Sequence, residues 1–155
     1  MKGSGFTLVE ILIVVVILGI LAAIVIPQFT DAASDARNSS VQSDLQTVRG
    51  AIELYKVQHT ALLPSMDATG ADDTANFVAR LTSKTDADGA INAAGVCGPY
   101  LQKFPTNPNS TTAAIGQTVE FGNTDPTAAS ATGGWFFNTV SGKLTPCASV
   151  AQTAW

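Results

Sequence analysis

From Phe6 to Phe29 the chain reads FTLVEILIVVVILGILAAIVIPQF: it is almost wholly apolar, carries a single carboxylate at Glu10, and gives way to an ordinary polar sequence. As a helix, a stretch of that length covers roughly 36 Å, enough to cross a hydrocarbon core of about 30 Å with some tilt. Everything else in the chain must be compatible with a membrane segment at its start. Lys2 before the span and Asp31 and Asp35 after it place the N-terminus on the cytoplasmic side and the C-terminal part outside the cytoplasm.

Glu10 is the residue that a plain span does not explain, because an ionised carboxylate in hydrocarbon is costly unless it is paired or reaches the interface. One way to neutralise it is proteolytic. A cut after Gly5 would leave Phe6 with a free α-ammonium that can pair with its own Glu10 or with that of a neighbouring copy. The other is local: a carboxylate near the membrane surface snorkels and gains from the positive end of the helix. An ordinary secretory signal removed near Ile24 fits less well. Glu10 would sit inside its apolar core, the A-x-A pattern is absent, and the apolar run continues through Ile24, Val25 and Ile26.

Gly19 and Pro27 lie within the apolar run, and proline removes a helical hydrogen bond, so a bend or local melting is expected between Gly19 and Phe29. Beyond Pro27 the pattern becomes amphipathic. Val41, Leu45, Val48, Ile52 and Tyr55 recur at spacings of four and three, with Asp44, Gln46, Arg49, Glu53 and Lys56 on other faces. Asp31 to Ser40 has little bulk and suits close approach of neighbouring helices. The periodicity stops after His59, and Pro64 marks the end of the helix.

The remaining roughly 95 residues are enough for one modest core. Thr60 to Gly95 reads as a connecting loop with a short helix over Ala75 to Ser83, which Asp72, Asp73 or Thr74 would cap. Val119 to Phe121 and Trp135 to Val140 read as strands, the second turning through Ser141-Gly142 into Lys143 and Leu144. A small antiparallel sheet covered by the Val41 to Tyr55 stripe gives an α+β fold.

The leader with Lys2 ending in Gly5, then Phe6-Thr7-Leu8-Val9-Glu10, and the apolar run containing Gly19 and Pro27 resemble the type IV pilins and the pseudopilins of type II secretion. The resemblance implies the pilin fold, with a leader at 1–5, a transmembrane and filament-core helix at 6–29, and a head at 30–155 that includes the amphipathic half of the helix to about residue 59. It implies cleavage between Gly5 and Phe6 by a prepilin peptidase that also methylates Phe6, with Glu10 aligning each incoming subunit and helix loss around Gly19 to Pro27 in the filament. It further implies an inner-membrane precursor held in lipid, an inner-membrane assembly machinery, identical subunits as partners, and a cell-surface filament or a periplasmic pseudopilus. Gly98-Pro99-Tyr100-Leu101, followed by Phe104-Pro105 and Asn107-Pro108, looks like a turn of the major pseudopilin.

Cys97 and Cys147 both lie beyond the span, and an even count in an exported domain suits a disulfide; it would close a loop of about fifty residues, worth about 4 kcal/mol in the chain-entropy model. Two buried free thiols are the other reading. Asp86-Ala87-Asp88-Gly89 lacks the first and closing ligands of a calcium loop and reads as a solvated turn. The calcium position of pseudopilin relatives would fall near Asn123 and Asp125. His59 is expected at the surface, and no nucleophile can be placed beside it, so no catalytic residue, metal or cofactor is assigned. With 12 acidic residues against 8 basic ones and no basic stripe, the chain carries no signature of nucleic-acid binding. Three functions follow: a pilus subunit, the major pseudopilin of a secretion system, or a membrane-tethered binding domain that never polymerises.

Overall fold

The computed structural model describes residues 5–130 and 132–155, so the leader positions 1–4, with Lys2, lie outside the described residues. The elements are helix α1 (Leu8–Gln58), a 3-10 turn (Thr74–Asn76), helix α2 (Phe77–Thr82), helix α3 (Ala113–Gly116), strands β1 (Val119–Gly122), β2 (Trp135–Asn138) and β3 (Leu144–Pro146), and a second 3-10 turn (Val150–Ala154). Helix α1 contributes to two compact units, one ending at Asn38 and one beginning at Ser39.

In the first unit the helix is continuous through Gly19 and Pro27, so of the bend or local melting expected there the melting is not present in the single chain. A proline costs one helical hydrogen bond, and in a long helix the turns on either side keep theirs. The Thr30 hydroxyl folds back to donate to the Pro27 carbonyl at 2.7 Å, while the carbonyl that the proline leaves without its N–H donor is that of Ala23, one turn earlier. The large apolar side chains from Leu8 to Phe29 stand exposed.

In the second unit the amphipathic stripe behaves as its spacing requires: Val41, Leu45, Val48, Ile52 and Tyr55 are buried, with Ala51 between them. They join Leu63, Phe77, Leu81, Leu101, Phe104, Trp135, Phe137 and Leu144 in one core. Phe77 is its aromatic centre, with ring centroids 4.6 Å from Phe137, 5.4 Å from Phe121 and 6.3 Å from Phe104.

The sheet is mixed rather than antiparallel. β2 and β3 form the expected hairpin, with Trp135 opposite Pro146 and Phe137 opposite Leu144, but β1 lies parallel to β2, Val119 beside Trp135 and Gly122 beside Asn138. About a dozen residues separate β1 from β2, too many for a tight hairpin and enough for a crossover. That segment is tied down as it returns. The Ser130 N–H donates to the Cys147 carbonyl at 2.7 Å, and the Gly134 and Trp135 N–H groups donate to Thr118 O at 3.1 and 3.2 Å, so the chain re-enters beside the start of β1.

The connecting segment is built from one turn used twice. Asp67-Ala68-Thr69-Gly70-Ala71 and Asp86-Ala87-Asp88-Gly89-Ala90 each close with the glycine N–H on the aspartate carbonyl, at 3.0 and 2.9 Å, and each glycine has positive φ, +81° and +85°. At Gly89 a Cβ would also meet the Tyr55 hydroxyl at 2.7 Å. Asp86-Ala87-Asp88-Gly89 is therefore a turn packed over the end of α1.

Of Asp72, Asp73 and Thr74, expected as caps of the short helix, Asp73 stands at the start of the 3-10 turn without a side-chain cap bond, and the residue before α2 is Asn76, also without one. The Asp73 carboxylate goes instead to stronger donors: Asn76 Nδ2 at 2.9 Å and the Arg80 guanidinium at 2.5 Å. Arg80, only 5% exposed, also donates to the carbonyls of Pro64, Asp73 and Gly89, each at 3.1 Å, so one side chain fastens both ends of the connecting segment. Arg80→Met should cost about 2 to 3 kcal/mol, because it leaves the carbonyls of Pro64, Asp73 and Gly89 without their guanidinium donor at a buried site. Urea unfolding of the two proteins side by side measures it, and a change below about 0.5 kcal/mol contradicts this role.

The carboxylates of Asp67, Asp73 and Asp125 are held below the usual range by hydrogen bonds, first from Thr69, Asn76 and Asn138 respectively. A carboxylate with a lowered folded-state pKa adds stability above its unfolded value of about 3.9 and loses it as pH falls through the folded one. The head should therefore hold its stability down to about pH 4 and lose it below that. A melting temperature that is flat from pH 5 to pH 2.5 contradicts this.

Candidate functional site

Phe6, Thr7 and Glu10 open α1 with the pattern S/T-x-x-E, and the geometry is a capping box. The Glu10 carboxylate accepts from the Thr7 N–H at 2.7 Å and from the Thr7 hydroxyl at 2.8 Å, and the Glu10 N–H returns a 3.3 Å bond to the Thr7 oxygen. One carboxylate oxygen, Oε2, takes both bonds. The other is free to accept from a further donor, and the Phe6 side chain next to it is 83% exposed. The cap was legible in Thr7-Leu8-Val9-Glu10, and the sequence reading, occupied with the charge of Glu10, passed over it.

Gly19 and Pro27 are exposed within α1, and a Cβ at Gly19 would meet nothing within 4 Å. Gly5 is described and exposed, and the charged leader before it is not described. The structure thus gathers Phe6, Thr7 and Glu10 into one local arrangement and leaves Gly19 and Pro27 as separate features of the same helix.

His59 is fully buried, where a surface position was expected. It follows Tyr55 by four residues and so extends the buried stripe by one turn. Its ring stacks on Tyr55 at 3.8 Å, and both nitrogens are used, Nδ1 with Tyr55 O at 2.8 Å and Nε2 with Thr85 Oγ1 at 2.9 Å. A carbonyl can only accept, so Nδ1 carries a proton directed at Tyr55 O, and Nε2 pairs with the Thr85 hydroxyl. This histidine joins the helix end to the connecting segment. The Gly98 to Leu101 turn closes the same region: the Tyr100 and Leu101 N–H groups both donate to Leu81 O, at 3.0 and 2.9 Å, and the Tyr100 hydroxyl donates to Gln58 at 2.6 Å.

Cys97 and Cys147 are free thiols, where a disulfide was expected. Each is locked into a separate pairing. Cys97 exchanges two 3.0 Å backbone bonds with Thr85, whereas Cys147 follows β3, bonds back to Gly134 O at 3.1 Å, and turns its thiol to the Gly133 carbonyl at 3.5 Å. Burial, with the Glu120 charge adding to it, pushes the Cys147 thiol up to about 12. Iodoacetamide at pH 8 is therefore expected to label the half-buried Cys97 in the folded protein and Cys147 only after denaturation. A disulfide-linked peptide pair in a non-reducing digest contradicts the structure on this point.

Near Asn123 and Asp125, Asp125 accepts from Asn138 Nδ2 at 2.8 Å and pairs with Lys143 at 3.4 Å. Donors and a cation occupy the carboxylate that a calcium ion would need. Among the described residues no three His, Cys, Asp or Glu side chains come together as a metal site.

A helix that is apolar at its start and amphipathic at its end, packed on a small mixed sheet, defines a membrane-anchorable α+β chain. Its N-terminus carries the most specific likeness. Residues 1–26 match the prokaryotic N-terminal methylation motif. The chain is 45% identical over 58 residues to the type II secretion system core protein G of Pseudomonas aeruginosa, an overlap of 37% of this chain and 41% of that one. It is 39% identical over 72 residues to the type IV narrow pilus major component PilA5 of Thermus thermophilus, covering 46% and 61%. A longer overlap, 107 residues at 28% identity covering 69% and 62%, links it to the core protein G of Pectobacterium carotovorum. The chain thus spans about two fifths of the length of the Pseudomonas relative and about three fifths of the other two. No solved structure matches. As its residues indicated, the chain resembles type IV pilins and type II secretion pseudopilins, which are structural proteins, and its motif and apolar helix fit membrane anchoring.

Proposed function

We propose that this chain is the precursor of a structural filament subunit. It is held in the inner membrane by residues 6–29, cut between Gly5 and Phe6 by a prepilin peptidase, methylated on Phe6, and assembled with identical copies into a type IV pilus or pilus-like filament. The apolar helices form the filament core and the head of residues 30–155 faces outward. A single heterologous contact repeated by a helical operator gives an open filament. The observation that carries this reading is the joint occurrence of the N-terminal methylation motif and the Thr7–Glu10 cap, which holds a carboxylate at the lip of an otherwise apolar helix.

The second reading, the major pseudopilin of a type II secretion system, is favoured by the 45% identity to the Pseudomonas core protein G and by the Gly98 to Leu101 turn. The two are separated by electron microscopy of sheared surface material at native expression. Long surface filaments containing this chain support the pilus. Their absence, together with loss of an exported protein on deletion, supports the pseudopilus, and a deletion strain normal in both respects refutes both readings.

A further inference from the structure

The crossover from β1 to β2, with described residues 123–130 and 132–134, is fastened near its two ends. At the first, Asp125 accepts from Asn138 Nδ2 at 2.8 Å and pairs with Lys143 at 3.4 Å. At the second, the Ser130 N–H donates to Cys147 O, and the Ser130 hydroxyl accepts from the Thr132 and Gly133 N–H groups at 3.1 and 3.0 Å. Between them, Pro126, Thr127, Ala128 and Ala129 make no hydrogen bond among the described residues, and the last three are exposed.

Glu120 closes the second end. By the strand register Glu120, Phe136 and Thr145 form one row across the sheet, on the face opposite to Trp135, Phe137 and Leu144. From that row a single Glu120 oxygen, Oε1, accepts from the Ser130 hydroxyl at 2.6 Å and from the Thr132 hydroxyl. Cys147 lies against the same segment, fully buried, with its thiol on the Gly133 carbonyl at 3.5 Å. Gly133 itself has no room for a side chain: a Cβ there would meet Glu120 Cγ at 2.6 Å.

We infer that this crossover is a strap over the Cys147 thiol and that Glu120 is its latch. The strap opens around Ser130, Thr132 and Gly133 while the rest of the head stays folded, and that opening is the route by which a thiol reagent reaches Cys147. One acceptor oxygen on a half-buried side chain is released more readily than the buried β2–β3 pairing, and the unbonded stretch from Pro126 to Ala129 lets the strap swing. The device belongs to the head alone and is the same in a pilus or a pseudopilus.

The test uses the full-length protein in detergent with Cys97→Ser, which leaves Cys147 as the one thiol. Iodoacetamide alkylation is followed by mass, and urea unfolding of each variant is measured beside it. Thr132→Ala removes one latch bond at an exposed position, and Gly133→Ala pushes the Glu120 side chain off the strap. Each should speed alkylation of Cys147 in the folded protein about tenfold, and the urea midpoint of Thr132→Ala should hardly move. Opening a strap exposes little surface, so these rates should be nearly independent of urea well below the unfolding transition. Glu120→Ala should act in the same direction, but it also removes the charge that raises the thiol pKa, so the two variants that keep the carboxylate decide. The inference is overturned if Thr132→Ala alkylates at the wild-type rate, if a folded Gly133→Ala does so, or if the rates rise with urea as steeply as the unfolded fraction. Should Gly133→Ala not fold, Thr132→Ala decides alone.

Discussion

Replacing Glu10 with alanine is expected to leave the chain in the membrane, processed at its leader, and to reduce filament yield by about a hundredfold or more. Removing the carboxylate makes the helix more compatible with lipid, so the subunit pool should not shrink. In the filament the same change leaves the Phe6 ammonium unpaired among apolar helices, which costs on the order of 3 to 5 kcal/mol at each addition. At about 1.4 kcal/mol per factor of ten this is two to three orders of magnitude in affinity. The capping geometry supplies a control. Glutamine at position 10 can still close a capping box with Thr7 but carries no charge. If Glu10 matters as a cap, the glutamine variant assembles; if it matters as a counter-ion, glutamine fails as alanine does. We expect failure in both, read as sheared filament against membrane fraction.

The largest effect on the head should come from Phe77→Ala. Phe77 is fully buried and touches three aromatic rings at 4.6 to 6.3 Å, so its removal opens a cavity where α2, β1 and β2 meet. Truncations of this kind cost about 3 to 5 kcal/mol, beyond which the edge-to-face contacts are also lost. For a small domain with a total stability of about 5 to 15 kcal/mol that is a large fraction. Urea unfolding followed by circular dichroism should show the midpoint fall steeply. A loss under about 1 kcal/mol would mean that the aromatic cluster repacks and is not the keystone of the core.

How much of this could be read from the chain depended on whether the signal was local. The apolar run, the Val41 to Tyr55 stripe and the β2–β3 hairpin are local patterns, and each appears where its spacing placed it. The parallel pairing of β1 with β2 is not local: a dozen residues between two four-residue strands permit a crossover without requiring one, and the direction is set by how Ser130 and Gly134 are tied down. His59 is a lone histidine at a helix end, and only the position of Thr85 reveals that it is buried with both nitrogens satisfied. The Asp73–Arg80 pair and the separation of Cys97 from Cys147 likewise depend on the tertiary path. At the candidate site the reverse holds. Phe6, Thr7 and Glu10 lie within five residues of each other, the methylation motif covers them, and the cap that the sequence reading missed was written in Thr7-Leu8-Val9-Glu10.

The central claim, that this chain is a prepilin matured at Gly5 and Phe6, is tested most directly by the intact mass of the protein recovered from the membrane and from sheared filaments. A chain beginning at Phe6 and carrying one N-terminal methyl group is the predicted result in both fractions. A chain that retains Met1, or one that begins near Ile24 after removal of an ordinary signal peptide, would contradict it.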